Sequence, residues 1–529
     1  MTNKFGNILN ITDALFSKWD NSDADKRIAI YYKDEIWTYR KLIDEINKLG
    51  NGLKELGIEK ENRILMIAYD TPYFITTFYG AMKIGAVPVP INTYLKPEEY
   101  IFYLEDTNAK VLVIEPDILN KLSPYLKDRA NKLKYIIILP NSNENKIDLL
   151  HHKAHLLTYS GLVSGQSKYL EPEKTSPNDM AFWLYTSGTT GHPKAAVHLH
   201  KDILVVLDTY VKHVLKINEK DRLFSASKLF FAYGLGNGSY FAFGNGASTI
   251  LMPDKPEPRK IFETIHKYKP TIFFAVPTLY NALLQVEEWK NYDLSSLRLC
   301  VSAGEPLPPI IYTKWKERYG VEILDGIGST EALHIYISNY PGDSKPGVTG
   351  KVVPGYEVKI VDENGNEVPP KVVGDLYVKG DSVAMFYWHD YESTRKNMNG
   401  NWFRTGDKFY RDEEGYCYYV GRSDDMIKAS GLWISPIEVE AALLTHPAVL
   451  EAAVVGIPDE VGLMKVVGFV VLKPGYNASI ELAEEIRNYL RQKLDHYKVP
   501  KEIRFVKEIP KTATGKIQRY KFRLGEIKV

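Results

Sequence analysis

Ten consecutive residues, Tyr185-Thr186-Ser187-Gly188-Thr189-Thr190-Gly191-His192-Pro193-Lys194, constrain this chain more than any other stretch. They follow an apolar run over 180–184 that reads as a buried strand. Five hydroxyl side chains, two glycines and one lysine fall within them. Glycine lets the backbone turn tightly and approach a ligand closely, so that its N–H groups point at an anion. The hydroxyls add neutral donors, and Lys194 adds a positive charge. A loop of this chemistry is built to hold a polyphosphate. It is not the common P-loop, which needs Gly, four residues, then Gly-Lys-Ser/Thr entering a helix. Here His192 and Pro193 separate Gly191 from Lys194, and no Ser or Thr follows the lysine.

Around this loop the chain alternates strand-like and helix-like segments. Residues 28–32 and 35–38 read as a short strand pair, and 39–56 as an amphipathic helix stopped by Gly57. Runs at 62–69, 111–114 and 134–139 read as strands, with a helical stretch near 75–84. The expectation is a layered α/β domain with a largely parallel sheet. Two further βα units have strands near 271–276 and 297–302. The second ends in the turn Ser302-Ala303-Gly304-Glu305-Pro306, and a third turn, Asp325-Gly326-Ile327-Gly328-Ser329-Thr330-Glu331, follows 321–324. In open α/β sheets ligands bind beyond the carboxyl ends of strands, so these turns are where a nucleotide is expected. The third turn offers a carboxylate for a hard cation, a hydroxyl for a phosphate, and close backbone approach through Gly326 and Gly328.

From 347 to 423 the texture changes to short strands and turns, which implies a small β-rich subdomain. It holds Asp407 and ends at Arg422. A compact α+β unit with a three-stranded sheet is expected beyond it. That unit carries helices near 436–444 and 480–494 and ends in a polar loop containing Lys516. The domain division is therefore 1–423, including the β-rich subdomain, and 424–529.

With 529 residues, at least two domains are expected. A net charge of +1 argues against a nucleic-acid footprint spread over the surface. The two cysteines, Cys300 and Cys417, are too few for a disulfide framework or a metal cluster. Residues 1–10 lack the basic start and apolar core of a secretion signal, and no apolar run is long enough to span a bilayer. A cytoplasmic protein follows, without nucleic acid or membrane as partner. His151, His152 and His155 lack acidic or cysteine partners at ligand spacing, so 145–173 reads as a solvated loop and helix. His198 and His200 are read with the same restraint.

The stretch 228–238, Lys-Leu-Phe-Phe-Ala-Tyr-Gly-Leu-Gly-Asn-Gly, fails the dinucleotide fingerprint because its glycines are spaced by two and position 239 is Ser. It reads as an aromatic wall lining an apolar pocket, with plain core packing as the other reading.

In order along the chain, these motifs resemble those of the acyl-adenylate-forming superfamily. KLFFAYGLGN at 228–237, GIGSTEALHI at 326–335 and SGLWISPIEVE at 430–440 resemble the benzoate-CoA ligase family. The resemblance implies a large N-terminal domain of layered α/β sheets with a β-rich subdomain, followed by a small mobile α+β C-terminal domain. It implies two steps on one site: ATP and a carboxylate give an acyl-adenylate, and the thiol of coenzyme A then displaces AMP. Thr186, Ser187, Gly188, Thr189, Thr190, Gly191 and Lys194 would hold the β- and γ-phosphates. Thr330 would contact the α-phosphate, and Glu331 would bind Mg²⁺. Ala303, Gly304, Glu305, Pro306, Asp325 and Gly326 would receive the adenine, and Asp407 and Arg422 the ribose hydroxyls. Lys516 would be the adenylation lysine and Asp424 the hinge, while Lys428, Ser430, Gly431 and Leu432 would meet the pantetheine of coenzyme A. Ala232, Tyr233, Phe241, Gly328, His334 and Ile335 would form the acyl pocket, His334 being alternatively a satisfied histidine packed near the sheet. The substrate implied is benzoate or a hydroxy- or aminobenzoate. A CoA ligase for a small aliphatic or hydroxy acid such as 4-hydroxybutyrate, and a free-standing enzyme loading a carrier protein, are the alternatives. A homodimer is compatible with this resemblance.

Overall fold

The computed structural model describes residues 5–127, 129–140, 153–187, 193–429, 432–459, 464–511 and 517–527. Its larger part is built on two sheets. One has nine strands in the order Lys351–Val352, Ile335–Ser338, Ile323–Gly328, Leu299–Ser302, Ile272–Ala275, Arg222–Ser225, Ser248–Leu251, Ile28–Tyr32, Glu35–Thr38. The six central strands run parallel. Antiparallel strands close both edges. The second sheet is parallel throughout: Val87–Pro90, Arg63–Ile67, Val111–Ile114, Tyr135–Ile138, His155–Thr158.

Parallel strands buried on both faces read as continuous apolar runs, which is why 111–114 (Val-Leu-Val-Ile) and 272–275 (Ile-Phe-Phe-Ala) show no alternation. The helix Tyr39–Glu55 begins at Thr38, whose hydroxyl accepts the Lys41 N–H, and it lies against the helix Pro72–Lys83. One continuous core runs from Ile11 through these helices to Phe409 and Cys417.

One expectation needs correction. The segment 145–173 was expected to be loop and helix, yet His155–Thr158 is the fifth strand of the parallel sheet, and a short helix, Tyr159–Val163, follows. At this sheet edge an exposed His155 costs nothing, so polarity hid a strand held by main-chain pairing. His151 and His152 lie outside the described residues.

The β-rich subdomain is a five-stranded antiparallel sheet of Glu357–Val361, Gly374–Lys379, Met398–Asn399, Trp402–Arg411 and Cys417–Arg422. Beyond it a separate core starts at Ile427 and belongs to the small C-terminal domain. Its sheet joins Val449–Pro458 antiparallel to Met464–Leu472, and the latter parallel to Glu502–Phe505. The helices Pro436–Leu443 and Ile480–Arg491 accompany this sheet. No helix among the described residues is long and apolar enough to cross a membrane.

Candidate active site

The phosphate-loop stretch is the tip of a hairpin. Strand Met180–Ser187 pairs antiparallel with Pro193–Leu199, so Thr186 faces Lys194 and Ser187 faces Pro193. The chain enters no helix after the loop, which is the structural reason the P-loop pattern failed. Gly188, Thr189, Thr190 and Gly191 lie outside the described residues. Lys194 is largely buried, 3.5 Å from Asp390 and hydrogen-bonded to Ser393, with its ammonium 5.7 Å from the Tyr387 ring centroid. Tyr387 in turn donates to Glu331 Oε1 at 2.6 Å. The hairpin end and the Glu331 carboxylate, far apart in sequence, are thus joined through one tyrosine.

Thr330 and Glu331 sit in the connection between the antiparallel strands Ile323–Gly328 and Ile335–Ser338. His198 holds this connection from below. Its Nε2 pairs with the Thr330 carbonyl at 2.8 Å and its Nδ1 with Asp202 at 2.9 Å, and both His198 and Asp202 are fully buried. His200 accepts the Ile11 N–H at 3.1 Å, and burial lowers its pKa to about 4. Neither belongs to a metal cluster, and among the described residues no group of three or more candidate metal ligands occurs. Gly328 makes a close approach, but toward its partner strand: a Cβ there would stand 2.5 Å from the His334 carbonyl oxygen. The expected approach to a ligand is, at this glycine, an approach to the neighbouring backbone.

Asp325 is the register partner of Ser302, so the 303–306 turn and this carboxylate lie side by side where the parallel pairing of their two strands ends. Asp325 Oδ2 accepts the Leu307 N–H at 3.5 Å, while its Oδ1 is buried without a hydrogen-bond partner. Burial raises the pKa of this carboxyl well above the usual carboxylate range. A buried acceptor left open at the end of a strand marks a place for a donor from a ligand. Glu305, in the same turn, accepts the Ile517 N–H of the small domain at 3.0 Å. Burial pushes its carboxyl up to about 7, against the opposing pull of that N–H and of Arg519.

Asp407 and Arg422 are register partners on adjacent strands, joined at 2.9 Å, and Arg422 also donates to the Thr405 carbonyl at 3.0 Å. Asp424 lies in the exposed turn that follows, and its carbonyl accepts from Arg523 at 3.3 Å. Lys428 projects from the hairpin of Ile427–Ala429 and Leu432–Ile434, where Leu432 and Trp433 are about half exposed. Ser430, Gly431 and Lys516 lie outside the described residues.

The acyl-pocket candidates do converge. The His334 ring lies 4.6 Å from Phe241, 5.6 Å from Tyr233 and 5.3 Å from Tyr210, centroid to centroid. Ala232 and Ile335 are buried as well. His334 Nε2 is 3.4 Å from the Tyr233 carbonyl, and Nδ1 has no partner. Burial lowers its pKa to about 3, so the ring is neutral at physiological pH. Gly236 fronts this group, since a Cβ there would fall 2.6 Å from the His334 ring and 2.9 Å from the Tyr240 hydroxyl. Lys228, by contrast, is turned to the Met252 and Asp254 carbonyls at 2.6 Å and contributes no group to the aromatic cluster.

A family model described as AMP-binding enzyme matches residues 16–388, and one described as AMP-binding enzyme C-terminal domain matches 438–516. The chain belongs to the AMP-binding enzyme family. The two matches fall on the large and the small domain of this AMP-binding enzyme. It is 43% identical to a benzoate–CoA ligase of Thauera aromatica, over 92% of this chain and 90% of that one. It is 37% identical to a 4-hydroxybenzoate–CoA/benzoate–CoA ligase of Rhodopseudomonas palustris, over 94% and 90%. Among solved structures, an anthranilate CoA ligase in complex with anthranoyl-AMP superposes with a TM-score of 0.92 at 39% identity, covering 98% of this chain and 97% of that one. A benzoate CoA ligase from Burkholderia xenovorans gives 0.89 at 39%, over 98% and 100%. The expected superfamily and the two-domain α/β architecture are both borne out.

Sequence reasoning missed Tyr387, Asp390 and Ser393, the partners of Glu331 and Lys194, and Tyr210, which stacks on His334. They lie in stretches with no motif of their own, and only the folded chain brings them to the site.

Proposed function

We propose that this AMP-binding enzyme is an AMP-forming ligase that activates an aromatic acid, benzoate or a hydroxy- or aminobenzoate, and transfers the acyl group to coenzyme A. The observation that carries the reading is the aromatic cluster of Tyr210, Tyr233, Phe241 and His334, in which His334 follows Thr330 and Glu331 in the connection between the two antiparallel strands. An aromatic surface suits a planar acid better than a long flexible chain. The aryl-acid ligases among its relatives support the same substrate class.

The first step must bring two anions, the acid's carboxylate and the α-phosphate of ATP, into line despite their repulsion. In this reading residues 186–194 cradle the β- and γ-phosphates, with Lys194 leaving Asp390 for them. Thr330 meets the α-phosphate. Asp325, with its open buried oxygen, accepts from the adenine amine beside the 303–306 turn. Asp407, oriented by Arg422, has further acceptor sites for a ribose hydroxyl. The donor set at Glu331 fits Mg²⁺: one carboxylate, oriented by Tyr387 and completed by phosphate oxygens and water, is how this ion is commonly held. Bound there, Mg²⁺ would offset charge on the phosphates. Lys516 bridges carboxylate and α-phosphate. The small domain, 424–529, then turns about Asp424, withdraws Lys516 and brings Lys428, Ser430, Gly431 and Leu432 to the pantetheine channel. Such rotation reuses one site for two chemistries.

The test is ATP- and CoA-dependent AMP release across benzoate, its hydroxy and amino derivatives, acetate, butyrate, 4-hydroxybutyrate and octanoate. Preference for the ring acids is expected. Faster turnover of the aliphatic acids would refute the substrate assignment while leaving the family intact.

A further inference from the structure

We propose that Glu305 is a positioning residue for adenylate formation: by accepting the main-chain N–H of Ile517 it sets the C-terminal segment in register against the nucleotide turn, and Arg519 is the brace that keeps this segment stiff. The inference rests on the two-step reading above and goes beyond it by naming what fixes the first orientation.

Inside the small domain the segment is secured on both sides of 512–516. Lys511 bridges to Ile517, Gln518 donates to the Pro510 carbonyl at 2.9 Å, and Lys511 pairs with Glu451 at 2.7 Å. Arg519 is largely buried and clasped by Glu440, at 2.8 and 3.0 Å through Nη2, while Glu440 also accepts the Val454 N–H at 2.8 Å. Arg519 Nη1 stands 3.6 Å from Asp425, Arg523 pairs with the same carboxylate, and Arg523 also reaches the Asp424 carbonyl. The segment and the 424–425 turn therefore move as one piece.

A stiff piece still needs a stop that fixes its place on the large domain. Apart from bonds close to the hinge, such as the Ser435 hydroxyl to the Val420 carbonyl, the boundary is crossed among the described residues by Ile517 N–H to Glu305 Oε1 at 3.0 Å and by Asn281 Nδ2 to the Leu450 carbonyl at 3.3 Å. The first joins a main-chain amide to the Glu305 carboxyl in a half-buried place, and its donor is the residue next to Lys516. An error there passes directly to the lysine. Both bonds must break when the small domain rotates, so they favour the first orientation only.

The experiment compares wild type, Glu305→Ala, Glu305→Gln and Asn281→Ala in acid-dependent ATP–pyrophosphate exchange and in thioester formation from pre-made acyl-adenylate and coenzyme A. Loss of this bond should lower the exchange kcat of Glu305→Ala by about tenfold or more. The thioester step should fall at least about fivefold less, with the ATP KM within about threefold of wild type. Glu305→Gln keeps an acceptor oxygen and should recover most of the loss. Asn281→Ala, outside the nucleotide turn, should bias the same half-reaction in a smaller degree. Equal loss of both half-reactions, or a loss confined to the ATP KM, overturns the proposal, the latter reducing Glu305 to an adenine contact. Wild type without any acid-dependent exchange would instead defeat the ligase reading itself.

Discussion

His334 and His200 show how one residue type takes opposite duties from its surroundings. Both are neutral in the fold, because burial lowers the first from 6.5 to about 3 and the second to about 4. A depressed histidine binds no proton in the native state, whereas the unfolded chain takes one up below about 6.5. Stability is therefore fully present above that pH and is lost as pH falls toward the folded values. By pH 5 each should have cost about 2 kcal/mol. Urea denaturation at pH 7 and pH 5 reads this, and His200→Gln should shallow the slope; an unchanged slope would contradict it. Gly236 is the second residue whose role is steric. Gly236→Ala must push a methyl into the His334 ring, so kcat/KM for benzoate should fall about tenfold or more. Acetate turnover, measured alongside, should fall less. A uniform fall would mean that the aromatic cluster does not line the acid site.

At the scale of elements, the two halves of the proposed site are built differently. The nucleotide side uses ends of parallel strands, where Ser302 and Asp325 lie in register and their turns project together. The ribose side uses an antiparallel pair that sets Asp407 opposite Arg422. The small domain has its own pair, a largely buried Arg519 with buried Glu440. Glu440→Ala would leave the largely buried guanidinium with only the longer contact to Asp425 and free the Val454 N–H, at about 3 kcal/mol. Calorimetry of the full chain should show the small-domain transition lowered and the large-domain transition little moved. A matching drop in both would show that the two cores unfold as one.

For the whole molecule, the consequence of the proposed rotation is a division of labour between two lysines. Lys516→Ala should abolish adenylate formation and leave thioester formation from pre-made acyl-adenylate largely intact, while Lys428→Ala should do the reverse. Each half-reaction is measured alone, and equal loss in either variant counts against the alternation. Much of this architecture was legible in the chain. Apolar runs and Pro/Gly turns mark strands near 111–114, 271–276 and 297–302, and the change of texture after 347 marks the β-rich subdomain. The strand His155–Thr158 was not legible, because an edge strand is held by main-chain bonds that leave little trace in side-chain pattern. By itself the sequence determined the local chemistry: which turns carry hydroxyls, glycines and carboxylates, and in what order, since those properties belong to neighbouring residues. Only the tertiary structure decided which of them meet. Tyr387 reaches Glu331, Tyr210 stacks on His334, and Ile517 finds Glu305 across 212 residues, because contacts at such separations are set by the packing of whole sheets and domains.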